Sequence, residues 1–292
     1  MASLQIDQAE GLRRLLPSDT LRVIAVASAT AGSGKTSVVS NLAAAFAATG
    51  REVLILDATQ GAAMSAVFGV MPRYELQDII ERKRSLEQAL VPCAQNVRML
   101  GIGRGLRRLG ALDTADQARV VESFQWLACP ADVVLIDTPS DAEDAMLCAG
   151  FAAHETLLLL SRTTSSITAN YALLKTLRMQ YAMRHFRVLV NKVDGDAEAG
   201  AIYENIAEAA RRYLGSRIDF AGYIPRDDKL HRASVLGVPL IDAFPMSPAA
   251  VKIRRLAELL ATRQPAQADE GIEHFVQRLI RSSRLQAAGT AA

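Results

Sequence analysis

The chain has 292 residues, half of them apolar and 22% charged, enough for one folded domain with a sizeable core. A net charge of +2 is too small for a general nucleic-acid binder, so DNA binding is not expected and any basic patch would be local. No apolar run reaches membrane-spanning length, and the N-terminus, charged at Asp7, Glu10, Arg13 and Arg14, has no signal-peptide stretch, so a cytoplasmic protein is expected. The three cysteines Cys93, Cys129 and Cys148 share no metal or redox spacing and are expected as reduced, mostly buried thiols.

In chain order, residues 1–20 form a separate N-terminal segment with one short amphipathic pattern ended by Pro17. Short apolar runs at 22–27, 53–56, 133–136, 157–160 and 187–190 then read as strands. Their apolar character is continuous rather than alternating, as in strands buried on both faces of a parallel sheet. Amphipathic segments lie between them. Val38, Val39, Leu42, Phe46 and Ala47 share a helical face, with Gly50 at the expected helix end. Further helices are expected near 75–90, 114–128, 167–182, 198–214 and 248–262, and the basic stretch "GRGLRRLG" at 103–110 as a solvated loop. This alternation predicts an α/β fold, a doubly wound, mostly parallel sheet with helices on both faces, over 21–263. Residues 264–292 read as a linker and a last amphipathic helix.

Between the first strand and the first helix stands "ATAGSGKTSV", which matches the second half of G-x-x-x-x-G-K-[ST] but has Ala29 where the first glycine belongs. A strand before it and a helix after it give the context of a phosphate-binding loop. Backbone N–H groups of Gly32, Ser33, Gly34, Lys35, Thr36 and Ser37 would wrap phosphates, Lys35 would bridge the β- and γ-phosphates, and the Thr36 hydroxyl would hold Mg²⁺. Such a loop needs an acid at a nearby strand end for the metal. Asp137, closing "ADVVLID", fits that role, and Asp57, closing "REVLILD", is the second candidate. The base is more open. "NKVD" at 191–194 has the N-K-x-D form that reads guanine in many GTPases, but adenine needs only Asn191, and the strand after Asp137 lacks the GTPase D-x-x-G, with Ser140 at its fourth position. ATP is the nucleotide expected.

The order of these motifs resembles that of the MinD/ParA family of P-loop ATPases, over roughly residues 20–262. The stretch "GYIPRDDKLHRASVLGVPLIDAFPMSPAAVKIRRLAELL" is similar to the family's C-terminal pattern, in which an I-P-x-D segment lies against the base, here Pro225 and Asp227. Within the family the chain is similar to the FlhG/FleN flagellar number regulators. "IDQAEGLRRL" matches their N-terminal motif at Asp7, Gln8, Ala9, Leu12 and Arg13, and "SSITANYALLKTLR" and "GIEHFVQRLI" match later segments. This resemblance implies that the N-terminal segment contacts the GTPase FlhF, that ATP drives homodimerisation, and that the C-terminal helix meets the inner face of the plasma membrane. A flagellar transcription regulator or basal-body protein would be the further partner. Two positions depart from the family. Its cross-dimer lysine falls at Thr30, and the switch aspartate that positions water falls at Thr59, which has no carboxylate to act as a base. Both losses strike hydrolysis and nucleotide-locked dimerisation rather than phosphate binding, so weak hydrolysis is expected, with Lys35, Asp57 and Asp137 as the surviving catalytic candidates.

The two ends admit two readings each. Ala9, Leu12 and Leu16 line one side of a short helix that either a partner or its own domain could order. Ile272, Phe275, Val276, Leu279 and Ile280 form one apolar stripe flanked by Arg278, Arg281 and Arg284. Spacing alone favours docking on the core, the cationic flanks suit an anionic membrane, and both hold if nucleotide state releases the helix. A ParA-like partition ATPase that binds DNA nonspecifically is the alternative function. A metabolic enzyme of the superfamily, such as an ATP-dependent amidoligase, finds no substrate motif.

Overall fold

A computed structural model describes residues 21–59, 61–127, 129–140, 153–179, 183, 186–262 and 271–289. Its centre is an eight-stranded sheet: β1 (Arg22–Ala27), β2 (Val53–Asp57), β3 (Val91–Ala94), β4 (Val97–Gly101), β5 (Val133–Asp137), β6 (Glu155–Ser161), β7 (Phe186–Val193) and β8 (Asp219–Pro225). The order across the sheet is β3-β4-β2-β5-β1-β6-β7-β8. Among the described residues only edge strand β3 runs antiparallel, so the expected mostly parallel sheet is what forms. β1, β2 and β5 are buried at every residue, which their unbroken apolar runs require.

The helices are α1 (Lys35–Ala47), α2 (Ala63–Phe68), α3 (Leu76–Ile80), α4 (Leu86–Ala89), α5 (Gly103–Leu109), α6 (Thr114–Gln125), α7 (Thr164–Met179), α8 (Asp196–Leu214), α9 (Lys229–Leu236), α10 (Leu240–Ala243), α11 (Pro248–Thr262) and α12 (Ile272–Gly289). Alternate residues of β1 choose the two faces. Ile24 and Val26 pack with Leu42 and Phe46 of α1 and Ile253 and Leu256 of α11. Val23 and Ala25 pack on the other face with Leu76, Leu106, Phe124 and Phe275. Beyond them on that side, Leu158, Leu160, Val188 and Val190 carry α7 and α8.

Three local readings change. The helix expected over 75–90 is two short ones, because Arg82 takes a left-handed φ of 58° and Ser85 starts a new helix with its own capping box to Gln88. The basic stretch 103–110 is helix rather than loop. Leu106 and Leu109 are buried, and Gly105 lets α5 approach α3 so closely that a Cβ would sit 2.8 Å from Leu76 Cγ. Of the two cysteines among the described residues, Cys129 is exposed, against expectation, and Cys93 is half-buried, its thiol pushed up to about 12 by burial. Cys148 lies outside the described residues.

The C-terminal helix α12 is docked. Phe275, Val276, Leu279 and Ile280 are buried in the second core cluster and Ile272 packs against it, so in this structure the stripe read as a membrane face points at the protein core. Ser283 Oγ donates to Leu106 O at 2.8 Å and accepts from Gly110 N at 3.0 Å, and Gln125 bonds Glu273 at 2.7 Å. Among the described residues no helix is long and apolar enough to cross a membrane.

Candidate nucleotide-binding site

β1 lies between β5 and β6 in the sheet, so the chain leaves it at the point where successive connections turn to opposite sides. Ligands of open α/β sheets bind there, beyond the carboxyl ends of the strands. The register puts Val26 beside Asp137 and Asp137 beside Asp57, so both acids finish level at that edge. A cleft of about 910 Å³ opens above them, lined by the loop from Ala31 to Ser37, by Thr59, Thr138 and Ser140, and by Asn191, Lys192 and Pro225.

The loop is shaped by two left-handed glycines, Gly32 at φ 68° and Gly34 at φ 97°. Gly34 also meets Asn191, whose Nδ2 would lie 2.5 Å from any added Cβ and donates to Ser33 O at 2.8 Å. The bend exposes the first N–H groups of α1, which have no partner within the helix. Lys35 is buried, and its ammonium rests on Ser140 Oγ, which in turn donates to Thr30 O at 3.3 Å. Thr36 Oγ1 donates to Asp137 Oδ2 at 2.6 Å.

Asp137 is fully buried, and burial first, then the nearby Asp57, push its carboxyl up to about 7 against the opposing Thr36 bond and Lys35 charge. Its Oδ1 and the Ser33 hydroxyl are buried with no hydrogen-bond partner among the described residues. Orphaned polar atoms are costly, and a cation and an anionic ligand in the cleft would satisfy them. The residues therefore fit Mg²⁺ held by Thr36 and Asp137 with nucleotide phosphates, since Mg²⁺ takes few protein ligands and keeps several waters. Asp57 lies one strand further out. Burial raises its pKa, while Thr59 N (2.9 Å) and Thr59 Oγ1 (2.6 Å) both donate to its Oδ1 and oppose the rise.

The structure thus gathers Gly32, Ser33, Gly34, Lys35, Thr36, Ser37, Asn191, Pro225 and Asp227 around one cleft. Two of them also make bonds within the protein that the sequence did not reveal. Asn191 spends its amide on the loop, donating to Ser33 O and accepting from Lys192 N at 3.0 Å. Asp227 ties α9 to α11, accepting from Lys229 N at 3.0 Å and Ala249 N at 3.3 Å. Asp194, the guanine-reading position, is not among the lining residues and pairs with Arg162 at 3.4 Å. Sequence reasoning missed Ser140, which parks Lys35, and Lys192, whose Nζ donates to Gly32 O at 2.7 Å. It also missed Arg226, Asp228, His231 and Ser234 on the cleft wall, which no spacing rule marks. The N-terminal candidates Asp7, Gln8, Ala9, Leu12 and Arg13 lie outside the described residues.

Residues 24–240 match the family described as the CobQ/CobB/MinD/ParA nucleotide binding domain. The chain belongs to this MinD/ParA family. Among its relatives is the antiactivator FleN of Pseudomonas aeruginosa, 31% identical over 262 residues, covering 89% of this chain and 94% of FleN. The septum site-determining protein MinD of Bacillus subtilis is 25% identical over 253 residues, covering 84% of this chain and 91% of that one. The fold superposes on MinD of Aquifex aeolicus with a TM-score of 0.67 at 23% identity, over 83% of this chain and 97% of that one. MinD of Pyrococcus horikoshii, solved with Mg-ADP, gives 0.65 at 23% identity over 83% and 96%.

At the two positions where the resemblance expects charged residues, the threonine hydroxyls bond to neighbouring protein groups. The Thr30 hydroxyl lies 3.2 Å from Ser28 Oγ and 3.5 Å from Ser166 Oγ, in a network with Asn170 of α7, which also accepts from Ala29 N at 3.0 Å. The Thr59 hydroxyl is held by Asp57. Neither offers a charge to the cleft.

Proposed function

We propose that this chain is a Mg-ATP-binding regulator of flagellar number and placement that acts through an FlhF-type GTPase and hydrolyses ATP slowly or not at all. The observation that carries the reading is the split within the site. The phosphate cradle is complete from Gly32 through Thr36 to Asp137, while Thr30 and Thr59 spend their hydroxyls on neighbouring protein groups. The adenine reading is supported by Asp194 standing away from the cleft beside Arg162.

Regulation is supported by the similarity to a protein named an antiactivator, that is, one opposing an activator. An activator of flagellar genes or a basal-body protein is then the downstream partner, and the N-terminal segment through Gln8 and Leu12 the contact to FlhF. Self-association is supported by Val235 and Leu236, exposed at 73% and 64% next to cleft residue Ser234. Apolar side chains exposed together mark interaction surfaces. Membrane contact would need α12 to leave the core, and its stripe of Ile272, Phe275, Val276, Leu279 and Ile280 with Arg281 and Arg284 suits an anionic surface once freed.

The test pairs binding with turnover and capture. Purified chain should bind Mg-ATP, release little phosphate, and retain an FlhF-type GTPase in a pull-down that Gln8→Ala and Leu12→Ala weaken. Capture undiminished in both variants would remove the N-terminal contact from the proposal.

A further inference from the structure

Lys192 stands out in the sheet. It is exposed between two buried neighbours, Asn191 and Val193, near the end of β7. Its φ is 63°, a left-handed conformation that lysine rarely takes. The pairing of β7 with β8 also slips between Asn191 and Val193. Bulges of this kind re-aim a side chain, and strained backbone concentrates at functional sites. Here the side chain is turned onto the phosphate loop. Nζ donates to Gly32 O at 2.7 Å, and Cε would lie 3.9 Å from a Cβ on Gly34. The side chain lines the cleft.

We infer that Lys192 is a nucleotide-binding residue, a second cation supplied from within the same chain to the polyphosphate of a nucleoside di- or triphosphate. This rests on the nucleotide-binding reading above. An ammonium has three donors, and the bond to Gly32 O uses one. The loop carbonyl fixes the charge at the mouth of the cradle, so little side-chain freedom is left to lose on binding. Thr30 brings no charge to this loop, and Lys35 is its only other cation. Lys192 therefore adds a second positive charge at the phosphate loop without recruiting a second subunit.

The test is titration of a fluorescent ATP analogue, with ATP, ADP and AMP as competitors, on wild type, Lys192→Met and Lys192→Arg, each beside a thermal melt without nucleotide. Methionine keeps an unbranched chain and removes the charge. Losing a hydrogen bond to a charged group should weaken ATP and ADP binding roughly tenfold or more. AMP should lose less, arginine should restore part of the affinity, and the nucleotide-free melt should stay close to wild type. Wild-type affinity in Lys192→Met would overturn this inference alone. So would a loss matched by an equal drop in nucleotide-free stability, or an equal loss for AMP and ATP. A wild-type chain that binds no nucleotide would overturn the underlying reading, and this inference with it.

Discussion

Gly110 follows α5 and touches the backbone of α12. A Cβ there would lie 2.7 Å from the carbonyl carbon and oxygen of Ser283 and 2.8 Å from Arg284 N, none of which can rotate away. Its φ of −69° suits alanine, so Gly110→Ala strains the contact and not its own backbone. Forcing an extra methyl into a packed contact costs about 1–3 kcal/mol. Losing the two hydrogen bonds at Ser283 adds about 0.5–1.5 kcal/mol each. Against this, burying Phe275, Val276, Leu279 and Ile280 holds the helix by roughly 6–12 kcal/mol, at about 1.5–3 kcal/mol per side chain. Wild-type α12 should therefore open rarely. A penalty of about 2 kcal/mol raises the open population roughly thirtyfold. Hydrogen exchange across residues 272–284 should quicken by that factor, and sedimentation with anionic liposomes should rise, because the apolar stripe itself is untouched. Unchanged exchange would refute the claim that this contact holds the helix. Faster exchange with unchanged sedimentation would refute release as the route to the membrane.

Three further outcomes follow from the site and its surroundings. Restoring both lost charges in Thr30→Lys/Thr59→Asp should raise phosphate release toward the 10²–10⁴-fold that a positioned base contributes, and a flat rate in a folded double variant would show that hydrolysis fails for another reason. Asn191→Ala removes the brace to Ser33 O and frees the loop, so calorimetric titration should show nucleotide affinity falling by about tenfold, with wild-type affinity counting against the brace. His154, held down to about 4 by burial and by the charges of Arg278 and Arg22, gives stability that falls as pH drops from about 6.5 toward 4. The unfolded chain takes up a proton there that the folded ring refuses, which costs at most about 3 kcal/mol and less for a ring still partly in solvent. Asp137, raised to about 7, works the other way between about 4 and 7, so the histidine term is read as the difference between wild type and His154→Gln in denaturant melts across that range.

The parallel sheet was legible because its central strands carry unbroken apolar runs, interrupted only at their ends by Arg22, Asp57 and Asp137, which leaves few alternatives to burial on both faces. The loop and its acids were legible because Lys35 opens a helix just after a buried strand, and Asp57 and Asp137 each close one. What escaped depends on partners distant in sequence. β3 alternates half-buried with exposed residues, and β8 is buried at only two of its seven positions, so neither carries a continuous apolar run. α5 looked like a solvated loop because the stretch is short, basic and glycine-rich, whereas Gly105 makes room for α3 and Gly103 for the backbone of Thr59. Asn191 was read as a base contact, and only the fold reveals Ser33 O beside its amide. α12 shows the limit of amphipathicity most clearly. The stripe from Ile272 to Ile280 fixes which face is buried, but lipid and protein core demand the same residues there.

The most direct measurement is the equilibrium binding and turnover of ATP with Mg²⁺ by wild type and Lys35→Ala. A cradle without its catalytic charges predicts saturable binding in wild type, loss of that binding in Lys35→Ala, and phosphate release far below about 1 s⁻¹, the lower end of ordinary enzyme turnover. Wild-type turnover at or above that rate, or binding that survives loss of Lys35, would contradict it.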